Sequence, residues 1–235
     1  MLPVNFHEVA EYFNDNWQDY KSYVAQNRLA HREMLSLLNQ FLHDNMRDSP
    51  FSFVDVGCGD SSSIGSVLLD NPINKYIGID IAGEVLKLAP DNLANVNCEK
   101  EFIFDDMTKA IKGLQSPVDV IFSSYTVHHL SYQDKFNFIQ ECRGKLRAGG
   151  FFIMVDGVLE ENQTRNEWLL AFEDHYKLIY PDITPEEMTQ FMKHPRASDY
   201  PENIKTFEKI AYQTGWNNFR VLNKIGLLVF MVFSD

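Results

Sequence analysis

The spacing of apolar residues changes along this chain, and each change marks an element. From residue 5 to residue 46 apolar side chains recur at steps of three and four. Met34, Leu37, Leu38, Phe41 and Leu42 share one face, until Ser49-Pro50 breaks the pattern. That spacing predicts a helical N-terminal region. Beyond residue 51 short apolar runs alternate with helical stretches. The runs predict strands at 51–56, 76–81, 96–104, 118–123 and 151–155. Between them lie predicted helices at 61–69, 83–89 and 131–147. The last carries Phe136, Ile139, Cys142 and Leu146 on one side and is capped by Gly149-Gly150. Strands and helices in alternation imply a mostly parallel sheet covered on both faces.

Between 157 and 200 the rhythm breaks. Aromatics at Trp168, Phe172, Tyr176, Tyr180, Phe191 and Tyr200, and prolines at 181, 185 and 195, predict two helices near 163–178 and 185–193, packed as a lid. A helix over 202–214, ending at Gly215, resumes the alternation. Two last strands, near 218–223 and 226–233, are joined so closely that only an antiparallel hairpin fits. One domain over 1–235 is expected: a helical cap (1–48), a core (49–156), the lid (157–200), and the last helix and hairpin (201–235).

Composition allows a full core, with 45% hydrophobic and 13% aromatic residues in 235. No apolar run approaches the ~20 residues of a membrane span. No basic patch followed by an apolar run opens the chain. A cytoplasmic protein with no membrane partner is therefore expected. Cys58, Cys98 and Cys142 are odd in number and widely spaced, which predicts free thiols. None forms a C-x-x-C pair, so no structural zinc site is expected. The net charge is −12, and Lys109, Lys112, Arg143, Lys145 and Arg147 make no dense basic run. Nucleic acid is thus not the expected partner, and a small molecule fits better.

Candidate chemistry gathers at strand ends, where open parallel sheets bind their ligands. The first strand runs through FVDVGCGDSSS, with Asp55 near its end and Gly57 and Gly59 in the following loop. Glycines there let the backbone approach a ligand closely and turn sharply. The second strand ends at Asp80, 23 residues after Gly57, where an acid can accept ribose hydroxyls. The third ends in FDDM, where Asp106 could take an adenine amino group, with Ile81 and Met107 against the ring faces. A dinucleotide fingerprint would need a third glycine at Ser62, and Asp55 and Asp60 would repel a diphosphate. Acids at those positions suit a cationic ligand, such as one with an amino group and a sulfonium.

The order FVDVGCG, YIGIDIA, FIFDDM, DVIFSSYTVHHL and LRAGGFFIMVDG resembles the class I S-adenosylmethionine-dependent methyltransferases, strongly over about 50–156. The resemblance implies a doubly wound, seven-stranded α/β sheet of order 3-2-1-4-5-7-6 with strand seven antiparallel, and S-adenosyl-L-methionine as cofactor. It implies that Asp55, Gly57, Cys58 and Gly59 hold the methionine part. Asp80 would hold the ribose, with Ile81, Asp105, Asp106 and Met107 around the adenine. Ser123 and Ser124 would lie near the sulfonium, and Tyr20 would close over the cofactor from the N-terminal helix. One departure is Ser61, where the family loop often has a third glycine.

Methyl transfer mainly needs alignment of nucleophile, carbon and sulfur. His128 and His129 follow the fourth strand and Asp156 ends the fifth, so a histidine is a candidate general base or positioning group, with His128 preferred and Asp156 orienting it. Trp168, His175, Tyr176, His194, Arg196 and Tyr200 of the lid are the candidate acceptor contacts, Arg196 for a carboxylate. No Asp-Asn pair follows Asp156, so metal-dependent catechol methylation is not expected, and no metal is assigned. The expected activity is methylation of an oxygen or nitrogen of a small-molecule acceptor, with a homodimer left open. The alternatives are a protein or RNA methyltransferase, a nicotinamide oxidoreductase, and a non-catalytic S-adenosylmethionine-binding partner protein.

Overall fold

The structure is a computed structural model and describes residues 6–235. Asn5, where the helical pattern begins, lies outside the described residues.

Its strands are β1 (Phe51–Val56), β2 (Ile73–Asp80), β3 (Glu99–Phe104), β4 (Val118–Ser124), β5 (Leu146–Leu159), β6 (Glu202–Asn203), β7 (Asn218–Ile225) and β8 (Leu228–Ser234). They form one sheet of order β3-β2-β1-β4-β5-β8-β7, with β6 paired to β5. β1 to β5 run parallel, and β8 lies antiparallel between β5 and β7. This is the expected order, its count raised by one through the two-residue β6.

The helices are α1 (Phe6–Ala25), α2 (His31–Met46), α3 (Gly65–Asp70), α4 (Gly83–Leu86), α5 (Ala89–Asn92), α6 (Met107–Gly113), α7 (Tyr132–Lys145), α8 (Arg165–Ile179), α9 (Pro185–Phe191), α10 (Lys193–Ser198) and α11 (Ile204–Gln213). Period-two burial divides the sheet between two cores. Val54, Val56, Ile121, Phe152 and Met154 face α6, α7 and α11. Phe51, Phe53, Val120, Phe122, Ile153 and Val155 face α2 and α3. The sheet is thus buried on both faces, which is why its central strands read as continuous apolar runs.

Several expected boundaries move, each for a local reason. The N-terminal helical region breaks at Asn27 and Ala30, which take φ of 57° and 51°. Asn27 tolerates that conformation and uses its side chain to accept from Arg32 N (2.9 Å) and donate to Glu33. The helix expected from 61 starts only at Gly65, because 58–64 is spent wrapping the loop. The helix expected at 83–89 is split into α4 and α5, with Pro90 in the first turn of α5. β2 starts at Ile73 rather than 76 and β3 at Glu99 rather than 96. Gly149-Gly150 does not cap α7. β5 already begins at Leu146, and a Cβ on Gly150 would meet Asp119 O at 2.7 Å, so close backbone approach is what selects glycine there. α6 and β6 had no counterpart in the sequence reading.

The lid has its own apolar cluster, built on Trp168, Leu169, Tyr176, Met188 and Met192. It packs on the α1 region: Arg28 donates to Tyr176 Oη at 3.1 Å and lies over the Tyr180 ring, and His194 stacks on Tyr12 at 4.1 Å between centroids. Buried Lys135 of α7 donates to Leu130 O and to Tyr200 O (2.7 Å), pinning the lid's exit to the core. Among the described residues no helix is long and apolar enough to cross a membrane. Cys58, Cys98 and Cys142 are free.

Candidate active site

The loop after β1 folds back over the end of β2, with Gly57 N and Cys58 N donating to Ile79 O at 2.8 and 3.1 Å. Gly57 and Gly59 have φ of +74° and +55°, and a Cβ on either would strike Thr126 or Trp17. Ser61, the departure from the family pattern, also takes a positive φ of 55°. Its strain, about 1–2 kcal/mol for a non-glycine residue, is offset in part by a hydrogen bond. Ser61 Oγ and Tyr76 Oη are 2.9 Å apart, and Tyr76 Oη donates to Asp55 Oδ2 at 3.0 Å. Asp55 is therefore a buried support beneath the loop, lining a small inner void with Gly57, Cys58 and Ser124.

Above the loop lies a cavity of about 330 Å³. Asp80 sits on its floor, accepting from Gly59 N through Oδ2 and from Ala82 N through Oδ1, both at 2.7 Å. Burial pushes this carboxyl up, against those two backbone donors. Asp106 caps α6, taking Thr108 N and Lys109 N on Oδ1 (3.0 and 3.2 Å), while its buried Oδ2 has no partner. Ile81, Asp105 and Met107 complete that end. α1 forms the roof with Val9, Phe13, Trp17, Tyr20 and Val24, a stripe at helical spacing. Lys21 reaches Asp60 at 3.0 Å, and Trp17 Nε1 donates to the same carboxylate at 3.2 Å. Burial would raise the Asp60 carboxyl, but donors from Ser62, Lys21 and Trp17 outweigh it and hold it low.

Of the expected cofactor residues, Tyr20, Gly57, Cys58, Gly59, Asp80, Ile81, Asp105, Asp106, Met107 and Ser124 line this cavity. Ser123 does not, being fully buried with its Oγ donating to Val56 O at 3.3 Å. His129 is at the cavity wall. His128 lies behind it, with Nδ1 on Asp156 Oδ1 at 2.5 Å and Nε2 3.6 Å from Asp199 Oδ1. Burial opposes its protonation, but Asp156 and Asp199 outweigh it and lift His128 to about 9. His128 lies between these two carboxylates, and neither it nor Asp156 lines the cavity.

The lid candidates stay off the cavity. Trp168 and Tyr176 are buried in the lid's own cluster, and His175 is exposed. Arg196 pairs with Glu173 at 2.6 Å and lies outside the cavity lining. Tyr200 is spent on backbone contacts, its N donating to His128 O at 2.8 Å. Phe13, Trp17, Lys21, His31 and Thr126 line the cavity without having been singled out. The α1 stripe was the one visible signal, and it covers only Phe13 and Trp17.

The inner end of the site sets up a pH experiment. Burial pushes His31 down to about 4 and Asp55 up to about 7, the latter against its hydrogen bond from Tyr76. The unfolded chain gains a proton at His31 below about 6.5 that the folded chain refuses, so stability falls as pH drops from there to 4. The folded chain keeps a proton on Asp55 that the unfolded chain releases above 3.8, so that contribution grows as pH drops from 7. The two offset each other in the native protein. His31→Phe should leave Asp55 alone, and its unfolding free energy should gain ~3 kcal/mol on the native protein's between pH 7 and pH 4. Urea unfolding at pH 7, 5.5 and 4 measures this, and parallel profiles would refute it.

Comparison with known proteins agrees with this geometry. Residues 53–150 match the family model described as a methyltransferase domain. An uncharacterized methyltransferase, YrrT, of Halobacillus halophilus is 24% identical over 154 residues, 66% of this chain and 69% of that one. The alpha N-terminal protein methyltransferase 1 of Arabidopsis thaliana is 27% identical over 128 residues, 52% of this chain but only 44% of that protein. Among solved structures, the magnesium protoporphyrin IX methyltransferase of Synechocystis PCC 6803, with bound S-adenosylhomocysteine, superposes with a TM-score of 0.67 at 14% identity, covering 97% of this chain and 98% of that one. The sheet order, the glycine cradle, the acid-lined cavity and the methyltransferase domain matched over 53–150 together support a class I S-adenosylmethionine-dependent methyltransferase.

Proposed function

We propose that the protein methylates an oxygen or nitrogen of a small molecule held under helix α1, beside His129. The observation that carries this reading is the roof. Val9, Phe13, Trp17, Tyr20 and Val24 lie across the cavity. An acceptor has to fit beneath them, and the chain's net charge of −12 gives a polyanion no purchase outside.

The residues present fit the cofactor. Asp106 Oδ2, buried and unpartnered, is an acceptor for an exocyclic amine. Ile81 and Met107 would flank the adenine, and Asp80 keeps lone pairs for ribose hydroxyls. Lys21 and Asp60 form a plus-minus pair at the far end, complementary to the carboxylate and ammonium of a methionyl tail. When bound, S-adenosylmethionine supplies a methyl carbon made electrophilic by the sulfonium. The chain's own contribution is to hold that end in line with the acceptor and keep water out, which is worth several kcal/mol in a displacement. His129 is assigned to positioning the acceptor. The lid residues act indirectly, by holding α1 in place.

The test incubates the protein with methyl-tritiated S-adenosylmethionine and a cell extract divided into low-mass and macromolecular fractions. Label is expected in the low-mass fraction. Transfer to protein N-termini, the activity in the Arabidopsis relative's name, would put label in the macromolecular fraction and overturn the small-molecule reading.

A further inference from the structure

We propose that the acceptor is a flat ring compound that carries no carboxylate or phosphate and offers one N–H or O–H hydrogen to His129 Nε2. The inference rests on the small-molecule reading above and narrows it to a chemical class. Five rings that line the cavity stand in continuous contact. His129 and Phe13 have centroids 6.0 Å apart, Phe13 and Tyr20 5.7 Å, Tyr20 and His31 6.1 Å, and His31 and Tyr125 4.3 Å. They make one aromatic wall, which adjoins Ser124 and Thr126 after β4. Ring faces and edges give a flat partner directed contacts that an alkyl chain does not receive.

Charge decides what that partner lacks. Among the described residues of the lining, Lys21 is the one lysine or arginine, and it is committed to Asp60 at 3.0 Å. The other charged residues there are Asp80, Asp105 and Asp106. Burial holds His31 at about 4, and burial with the neighbouring His128 holds His129 low, so both rings are neutral. Behind His129, the protonated His128 stands between Asp156 at 2.5 Å and Asp199 at 3.6 Å, so that trio is negative as a whole. Arg28 lies outside the lining, spent on Tyr176 and the Tyr180 ring. A carboxylate or phosphate on the acceptor would lose its water and meet no free cation in exchange.

The hydrogen bonds of His129 select the reacting group. Its Nδ1 donates to Ser198 O at 3.2 Å, and Asp199 Oδ1 lies 3.3 Å from the same nitrogen. Two acceptors at one nitrogen keep the neutral ring's proton there and leave the lone pair on Nε2. These are the ring's hydrogen-bond contacts among the described residues, so Nε2 is left for a ligand. Tyr20 Oη and His31 Nε2, by contrast, face each other at 3.4 Å. A lone pair calls for a donor, such as a phenol hydroxyl, an aryl amine or a ring N–H. An ionised carboxylate has no hydrogen to give, so the same atom disfavours esterification of an acid. In the transfer the acceptor's lone pair bonds the methyl carbon, the carbon–sulfur pair stays on sulfur, and the proton leaves along the hydrogen bond to Nε2. Ser198 and Asp199 close the lid, which thus shapes specificity through the His129 proton without touching the acceptor.

The test uses the full chain and the low-mass extract, passed over an anion-exchange resin before incubation with methyl-tritiated S-adenosylmethionine. Label is expected from the unretained pool, at least ~10-fold above the retained acids, because an unpaired buried anion is strongly rejected. The labelled product should show the ultraviolet absorption of a conjugated ring. His129→Phe keeps a ring in the wall but removes the lone pair, and should slow labelling at least ~10-fold. His129→Gln, which keeps an acceptor oxygen, should recover part of that loss. Circular dichroism checks folding. If His129→Phe misfolds, Phe13→Leu decides, since taking one ring from the wall should slow the same reaction. Label mainly from the retained pool, a product without ring absorption, or a folded variant as fast as the native protein would overturn the inference and leave the small-molecule reading standing. Label confined to macromolecules, or none in any pool, would overturn that reading and this inference with it.

Discussion

Asp80→Ala is expected to weaken S-adenosylhomocysteine binding at least ~100-fold in a calorimetric titration. Each oxygen of Asp80 receives a backbone amide at 2.7 Å, one from Gly59 and one from Ala82. Hydrogen bonds to a charged group contribute about 1.5–3 kcal/mol each, and a buried amide left unpaired costs a similar amount. Losing both frees the loop after β1 and the start of α4 together, before any contact to the ribose is counted. Binding must then re-form a cradle that these bonds hold ready in the native protein, and at 1.4 kcal/mol per tenfold about 3 kcal/mol of lost preorganisation accounts for the expected loss. Asp80→Asn, which keeps one acceptor oxygen, should fall between the two proteins. If Asp80→Ala binds within threefold of the native protein, the cavity is not the cofactor site.

A second large effect is expected from a single methyl group. A Cβ at Gly57 would lie 2.1 Å from Thr126 Oγ1 and under 3.0 Å from two more atoms of the same side chain. Thr126 has little room to yield, since its Oγ1 donates to Ser124 O at 2.8 Å and the next residues enter the turn carrying His128 and His129. Gly57→Ala should therefore cost ~3 kcal/mol or more, in the range of an overpacked core, and cut cofactor binding ~100-fold. Adding Thr126→Gly removes the obstruction. What remains is the cost of a non-glycine residue at positive φ, about 1–2 kcal/mol. The double variant should thus recover most of the lost stability and affinity. Urea unfolding and calorimetry on the three proteins decide it, and a double variant no better than Gly57→Ala would place the damage elsewhere.

The centre of the sheet was legible in the sequence because β1, β4 and β8 are buried along almost their whole length. β1, with all six residues buried, kept its expected limits. The strand-end acids were legible too, since Asp80 and Asp106 stand where a parallel sheet exposes its carboxyl ends. Elements of four to seven residues were harder. α4, α5 and α6 span barely one or two turns, too short for helical periodicity to emerge. The lid misled for a different reason. Aromatics at helical spacing were read as reaching for an acceptor, but Trp168, Phe172, Tyr176 and Phe191 satisfy one another. The histidine-aspartate cluster was out of reach of any local pattern. His129 and Asp199 are 70 residues apart, and only the return of the chain after α10 brings them to 3.3 Å.

The two outermost strands carry a further consequence. An unpaired sheet edge offers its amides to any other strand, including that of a second copy. At one edge β3 opens with Glu99, Lys100 and Glu101, and Lys75 of β2 holds both glutamates at about 3 Å. At the other, β7 carries Arg220 and Lys224, and its register slips between Val221 and Asn223, a bulge that twists the edge away from flat pairing. Charge guards one border and irregular geometry the other. Copies of this chain should resist stacking edge to edge into extended sheets.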